Sequence, residues 1–491
     1  MSAIKRCAIF VLAVLLQACG GGSSGSKDPV ANSSAPASMV ASSVISSSSI
    51  SSLMSSSSSS LPVSSSSSVA SSMPDDFPVG TVDALPVLAI TTDGAAPIVS
   101  REDYVTGSFS LTAEGRAAVE GTLEIRGRGN STWDWPKKPY RLKLTNSAEI
   151  LGMPASKHWV LLANYADKTL MRNDVAFMLS RSLGMEYTVR SQYVELQLNG
   201  IYQGVYQLAE HIRVAKDRVN IPELKVTDTD AEKITGGYLI EVDFRMQKNC
   251  NSWDSFCING VNLEREATFC VDSNQGMDPF CLDTPETLLE ANWVTQREYI
   301  SKYIVDTETA LFSDNFADPA LGYAAYIDVD SAINYFLINE LFKNPDGATA
   351  SFYLYKKRNG KLFFGPIWDF DLAFGNAGYD GVDLTNGWRV RNAPWFNQLF
   401  KDPAFKDKVT ARWNGLKAEG KLDYIFQYAE ARAVWLDKQQ EKNYTIWSIT
   451  DVVPWVMHGT HGGTGSYEAE AKEMVRWQRE RYKWMDAELN K

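Results

Sequence analysis

The chain has 491 residues, of which 44% are hydrophobic and 11% aromatic, and its formal net charge is −11. That apolar content can bury a large core, and the length suits two or three domains. The acidic balance and the lack of a basic run argue against non-specific binding to nucleic acid or to an acidic membrane surface, both of which need a basic face.

Residues 1–19 read as a processing signal. Lys5 and Arg6 form its positive end, residues 8–16 its apolar run, and Leu16-Gln17-Ala18-Cys19 its cleavage site. The run is too short to span a bilayer. The tetrapeptide resembles a bacterial lipobox, which implies lipidation of Cys19 and membrane attachment through that lipid alone. Gly20, where an Asp would retain the protein at the inner membrane, resembles the signal for the outer membrane. Residues 20–76 are nearly all Ser with Gly, Ala, Pro and Val. Such a segment cannot offset its chain entropy by burial and reads as a flexible tether, similar to linkers in surface enzymes that degrade polysaccharides.

With Cys7 lost alongside the signal and Cys19 lipidated, Cys250, Cys257, Cys270 and Cys281 remain. In an exported chain this cluster predicts two local disulfides, with the pairing open. Zinc is the competing reading, but no C-x-x-C pair supports it.

The globular part is predicted over 77–491. It divides into a sheet-rich lobe (77–245), a cysteine-containing insertion (246–284) and a helix-rich lobe (285–491). Strands are predicted at 85–90, 121–125 and 140–144, forming an antiparallel sheet. A helix capped by Asp167 follows over 168–183 and ends at Gly184. Asn199-Gly200 predicts a hairpin between strands 193–198 and 202–208, and 237–242 is a further strand. Helices are predicted over 285–312, 330–342, 402–417, 424–442 and 467–489. A second hairpin, 352–357 with 361–367, turns at Asn359-Gly360.

The chemistry concentrates around that hairpin. Asp346 follows a helix, and Asp369 and Asp371 lie beyond the far strand, so the connection can bring three carboxylates together. Like charges in one place are tolerated when a hard cation sits among them or when one carboxylate takes a proton. Protein kinases use this layout: one Asp accepts the hydroxyl proton and another, after a hairpin, holds the metal.

Three runs carry a resemblance. They are Arg126-Gly127-Arg128-Gly129-Asn130-Ser131-Thr132-Trp133 with Lys137-Lys138-Pro139-Tyr140-Arg141-Leu142-Lys143-Leu144; Gly237-Tyr238-Leu239-Ile240-Glu241-Val242-Asp243; and Ile367-Trp368-Asp369-Phe370-Asp371-Leu372-Ala373-Phe374-Gly375. In order and spacing they resemble the CotH (spore-coat-protein-H-like) kinase family over residues 85–482. The resemblance implies an α+β, bilobal, atypical protein-kinase-like fold with a sheet-rich N-lobe and a helix-rich C-lobe. It also implies ATP with Mg²⁺ or Mn²⁺ as cofactors, and acceptors among Ser/Thr-containing surface or secreted proteins. The tether's architecture adds its own Ser-rich linker as an acceptor, because it holds many hydroxyls at high effective concentration near the site.

Carried across residue by residue, the resemblance makes Asp346 the catalytic Asp and Asp369 the metal ligand, with Asp371 a second ligand or a structural acceptor. Lys143 is the candidate for neutralising the nucleotide phosphates, its alternative being an exposed strand residue. Arg126, Arg128 and Asn130 are phosphate-binding candidates on a glycine-flexed backbone, or else members of a tight turn. Glu210 and His211 fall by position at the hinge that meets adenine. Arg172 and Asp174 are candidates for contacting the lysine or the phosphates. The kinase pattern has an Asn for a second metal where this chain has Ser351, a poorer ligand.

Other constellations are thinner. His458 and His461 form a possible metal pair in a Gly-rich loop, and no G-x-S-x-G elbow supports a serine hydrolase. Trp133, Trp135, Trp368, Trp388 and Trp395 suggest a sugar-stacking platform. The second functional reading is therefore a catalytically weak or inactive surface module that binds protein partners or polysaccharide.

Overall fold

The computed structural model describes residues 84–250, 257–258, 260–451 and 465–491, all within one compact unit spanning Ser71–Lys491. The signal segment with Cys19, the serine tether, and His458 with His461 lie outside the described residues.

Seven strands build the first half: β1 (Val87–Thr92), β2 (Val105–Thr112), β3 (Val119–Gly127), β4 (Tyr140–Ile150), β5 (Met153–Leu162), β6 (Ser191–Leu198) and β7 (Ile201–Glu210). They close into a barrel in the order β1-β2-β3-β4-β5-β7-β6. Alternate residues point inward and fill it, among them Leu88, Phe109, Ile125, Leu142, Trp159, Leu161, Leu196 and Tyr206. The antiparallel sheet expected from the sequence is present, and it closes into a barrel. Its seam is the parallel pairing of β1 with β6, a long-range contact that local alternation cannot record. The β6–β7 hairpin turns at Asn199 and Gly200, with φ of 51° and 77°, as two-residue turns between twisted strands require.

A second sheet runs β11-β12-β8-β13-β14. Its strands are β8 (Tyr238–Val242), β11 (Cys270–Val271), β12 (Phe280–Thr284), β13 (Phe352–Lys356) and β14 (Leu362–Phe364), while β9 (Cys257–Ile258) and β10 (Val261–Asn262) pair by themselves. Two strands of this sheet therefore come from residues read as an insertion, and β8, read with the first lobe, pairs with β12 and β13. The cysteines form two local bridges, Cys250–Cys257 and Cys270–Cys281.

The helices are α1 (Ser131–Asp134), α2 (Arg172–Ser182), α3 (Leu263–Ala267), α4 (Val294–Leu311), α5 (Val329–Leu341), α6 (Pro394–Leu399), α7 (Pro403–Ala418), α8 (Lys421–Ile446) and α9 (Tyr467–Leu489). Strands and helices together make the architecture α+β. None of the described helices is long and apolar enough to cross a membrane.

Two helices start later than expected, for visible reasons. Asp167 accepts hydrogen bonds from the Thr169 N–H at 3.0 Å and the Arg172 N–H at 2.9 Å. These hold the intervening residues in turns, with Leu170 at φ 60°, so α2 begins at Arg172. Before α4, Arg297 Nη1 donates to the carbonyls of Leu288 and Glu290 at 2.7 and 2.6 Å, which keeps that stretch out of the helix. The second hairpin is also shorter than expected. Lys356 Nζ fills its turn, donating to the carbonyls of Thr235 and Lys357 at 2.8 and 3.1 Å.

A core that includes Val160, Leu162 and Ala209 from the barrel's outer face, Phe280 and Leu354 from the second sheet, and Ile338 and Trp413 from the helices joins the two halves.

Candidate active site

A cleft of about 850 Å³ opens where four segments meet. The end of β3 and the turn after it supply Arg128 and Asn130, and the end of β8 supplies Glu241, Asp243 and Arg245. The loop after α5 supplies Asp346 and Ser351, and the loop after β14 supplies Trp368, Asp369 and Asp371.

The Asp346 loop is held from behind. Its own amide donates to Asn344 Oδ1 at 3.2 Å, and its carbonyl accepts from Thr349 and Ala350, each at 3.0 Å. Arg389 donates twice to the Pro345 carbonyl, at 3.0 and 2.8 Å. Glu340, at the end of α5, in turn accepts from the Arg389 N–H at 2.8 Å, the Arg391 N–H at 2.9 Å and Arg481 Nη2 at 2.7 Å. Glu340 and Arg481 are both wholly buried. Lys343 Nζ donates to the carbonyls of Gly381, Leu384 and Asn386 at 2.6 to 2.8 Å. Buried charge thus fastens α5, α9 and the loop near 380–391 into one support.

The Asp369 loop is gripped from α2. Asn173 Oδ1 accepts from the Phe370 N–H at 2.8 Å, and Arg172 Nε donates to the Ala373 carbonyl at 3.1 Å. Asn376 Nδ2 donates to the Asp371 carbonyl at 2.7 Å. Asp369 sits at φ 64° and Gly375 at φ 74°, where a Cβ on Gly375 would lie 2.5 Å from Trp477 Nε1. Arg172 also pairs with Asp167, and Asp174 pairs with Arg432 at 2.8 Å and Tyr428 at 2.7 Å. Both residues thus brace structure and do not reach the cleft.

The carboxylates strain one another electrostatically. Burial, then the charge of Asp369, pushes Asp346 up to about 7. Burial pushes Asp371 well up, with Asp369, Asp167 and Asp346 adding to it and Arg128 opposing. Burial, then Asp243, pushes Glu241 up to about 8. Two cations face this set. Arg128 lies 5.4 Å from the Trp368 ring centre, and Arg245 is fixed by Asp243, with Nε 2.8 Å from Oδ1.

Among the described residues, no three His, Cys, Asp or Glu side chains are gathered closely enough to cage an ion by themselves. The donor chemistry fits Mg²⁺ or Mn²⁺ in another way. Such ions are commonly held by one or two carboxylates, with phosphate oxygens and water completing the shell, and a cation among Asp346, Asp369 and Asp371 would relieve their repulsion.

Of the residues singled out from the sequence, the fold brings Arg128, Asn130, Asp346, Asp369 and Asp371 to one cleft, with Ser351 beside them. The others lie elsewhere. Lys143 stands on the outer face of β4, opposite Glu124 and His158 in register, and pairs with Glu124 at 2.7 Å. Leu142 and Leu144 take the inward positions, which leaves Lys143 half-exposed on the outer face and outside the cleft lining. Arg126 lies 3.7 Å from Glu102, over the Tyr104 ring.

Glu210 is buried among Arg190, Arg218 and Tyr187 and meets no cleft. His211 sits on the barrel's outer face, 6.4 Å from His158 between ring centres. The tryptophans do not form one platform. Trp133, Trp135 and Trp368 line the cleft, whereas Trp395 is buried against Phe280 and Trp388 packs on Trp484.

Sequence reasoning passed over Glu340, Arg389, Arg481, Lys343 and Arg245. On helices and loops these look like ordinary solvated charges, and only burial reveals their work. The Asn339-Glu340 pair at the end of an apolar helix was the one available signal.

No curated protein matches this chain. A family model described as CotH kinase protein matches residues 125–485, a span containing every cleft and support residue assigned a role above. The chain belongs to the CotH kinase family.

Proposed function

We propose that this domain is a bilobal, kinase-like enzyme that transfers the terminal phosphate of ATP to Ser or Thr hydroxyls of surface or secreted proteins, with Mg²⁺ or Mn²⁺. The observation that carries the reading is the convergence of Asp346, Asp369, Asp371 and Arg128 in one cleft. Asp346 accepts the acceptor hydroxyl's proton, and an affinity near 7 suits a base working near neutrality. Asp369 and Asp371 hold the metal, which when bound neutralises phosphate charge. Arg128 and Asn130 face the phosphates, so the guanidinium of Arg128 does the work expected of Lys143. Lys143→Met should therefore leave the transfer rate within about twofold of wild type in a steady-state assay; a loss comparable to that of a general base, about 10²-fold or more, would return the lysine to the site.

Ser351 supports a second reading, a catalytically weak module that binds partners or polysaccharide. It lines the cleft at φ 47°, a backbone that Asn adopts more readily than Ser. Ser351→Asn should raise the transfer rate several-fold and lower the metal concentration for half-maximal rate, both read from metal titrations. No change in either would separate this position from metal binding.

Lipidation of Cys19 would hold the domain at the outer membrane. The serine tether then keeps its own hydroxyls at high effective concentration and is a natural acceptor. The deciding assay follows labelled phosphate from ATP on the full chain beside Asp369→Ala. Transfer lost in the variant supports the kinase; no transfer and no nucleotide-dependent thermal shift in the parent favours the binding module.

A further inference from the structure

β8 ends at Val242, and Asp243 caps one short helical turn, Phe244–Met246, at the edge of the cleft. The cap folds the turn back on itself. Asp243 Oδ1 accepts the Arg245 N–H at 2.9 Å and Arg245 Nε at 2.8 Å, and Oδ2 accepts Arg245 Nη2. The guanidinium is thus gripped along one edge at two points. Nη1, on the remaining edge, makes no hydrogen bond with a described residue.

The turn is fixed on two sides. Asn262 Nδ2 donates to the carbonyls of Arg245 and Gln247 at 2.6 and 2.9 Å. Opposite, the Phe244 N–H donates to the Thr349 carbonyl at 2.7 Å, and the Thr349 N–H donates to the Asp346 carbonyl at 3.0 Å. Strand pairing runs the same way, since Val242 lies opposite Phe352 of β13, the neighbour of Ser351. Arg245 therefore belongs to the Asp346 wall of the cleft, whereas Arg128 lies beside the Asp369 segment, over the ring of Trp368. The electrostatics agree: burial and Asp369 push the proton affinity of Asp346 up, and Arg245 is the first charge to oppose them.

An arginine that only braced its surroundings would give both edges to protein acceptors, as Arg481 does with the Glu340 carboxylate and the carbonyls of Glu340, Thr385 and Gly387. Arg245 has acceptors along one edge only, and its side chain lines the cleft with 20% exposure. A guanidinium held still by a carboxylate presents its remaining donors without reorganising, which is how fixed groups stabilise charge that develops only during a reaction.

We infer, on the footing of the phosphate-transfer reading of this cleft, that Arg245 is a further catalytic residue that binds the phosphoryl group in flight, and that Asp243 is its positioning residue. The acceptor hydroxyl oxygen forms a bond to the terminal phosphorus while the bond from that phosphorus to the bridging oxygen breaks. Asp346 takes the hydroxyl proton, and the bridging oxygen leaves on ADP with the electron pair. During the exchange negative charge is spread over the oxygens of the group passing between donor and acceptor, and an arginine beside Asp346 meets it there. Arg128 holds the nucleotide's phosphates throughout.

The test is calorimetric titration of the full chain, as parent, Arg245→Gln and Arg245→Lys, in Mg²⁺ with two probes: ATP, and ADP with aluminium fluoride, which imitates the phosphoryl group in flight. Arg245→Gln should weaken binding of the fluoride mimic about tenfold or more and leave ATP affinity within about threefold. In the transfer assay its kcat should fall about 10²- to 10³-fold with the ATP KM little changed. Asp243→Asn, which keeps an acceptor for the turn and loses the charge pair, should show the same selective loss to a smaller degree. Should Arg245→Gln fail to fold by its urea midpoint, Arg245→Lys, which keeps the charge and loses the two-point grip, carries the comparison. Equal weakening of both probes, or of neither, would overturn the role. A parent that binds neither probe would remove the transfer reading and this role together; transfer by the parent and by Arg245→Gln at equal rates would remove this role alone.

Discussion

Asp346→Asn should abolish phosphate transfer and at the same time stabilise the metal-free protein at pH 8. The first effect is the loss of the proton acceptor, and removing a general base costs about 10²- to 10⁴-fold in rate. The second follows from burial. The folded protein raises the proton affinity of Asp346 from 3.8 to about 7, through desolvation and the neighbouring Asp369. Between those two values the folded state holds more protons than the unfolded one, so stability falls as pH rises through the window.

The full cost is present above pH 7 and absent below about 4. At about 1.4 kcal/mol per pKa unit, the ceiling is about 4 kcal/mol, and relaxation of the loop will reduce it. Asn has the same shape without the charge, and the Asp346 side chain makes no hydrogen bond with a described residue whose loss would offset the gain. Urea denaturation of parent and variant at pH 4.5 and pH 8, in chelator, measures the difference. A gain at pH 8 that fades at pH 4.5 is expected. A variant destabilised equally at both would mean that the carboxylate is not held against its charge.

Arg481→Met should be the most damaging single change far from the cleft floor. Arg481 and Glu340 are both wholly buried, with Nη2 2.7 Å from Oε1. Arg481 also donates to the carbonyls of Glu340, Thr385 and Gly387. Removing one member leaves a buried carboxylate and several carbonyls without their partner, which costs about 3–5 kcal/mol. Glu340 also accepts the amides of Arg389 and Arg391, and Arg389 fixes the carbonyl of Pro345, next to Asp346. Protein that remains folded should therefore lose transfer rate more than nucleotide affinity. Chemical denaturation gives the first quantity, and kcat with ATP KM gives the second. The double variant Glu340→Leu/Arg481→Met should recover part of the stability, since it removes the orphaned charge, but not the rate, since the amides of Arg389 and Arg391 lose their anchor.

Much of this was legible in the residues. The alternation of β4, the Asn-Gly turn after β6 and the periodicity of α9 are local properties. So is the order Asp346, hairpin, Asp369, Asp371, because a short connection limits where its ends can go. The misplaced residues share one trait: their roles depend on distant partners. Lys143 sits on a cationic, glycine-preceded strand, as a phosphate-binding lysine would, yet which face of that strand meets the cleft is set by barrel closure. Glu210 ends its strand where a hinge residue belongs, yet Arg218 and Arg190 claim it.

The sequence by itself determined the acidic set, the strand and helix types, the local reach of the cysteine bridges and the family, because each rests on neighbours within a few turns or on motif order. Folding in three dimensions decided the rest: closure of the barrel, which side chains share the cleft and the buried Glu340–Arg481 brace. A side chain's charge is written in the sequence, but its burial and its counter-ion are properties of contacts between segments far apart in the chain.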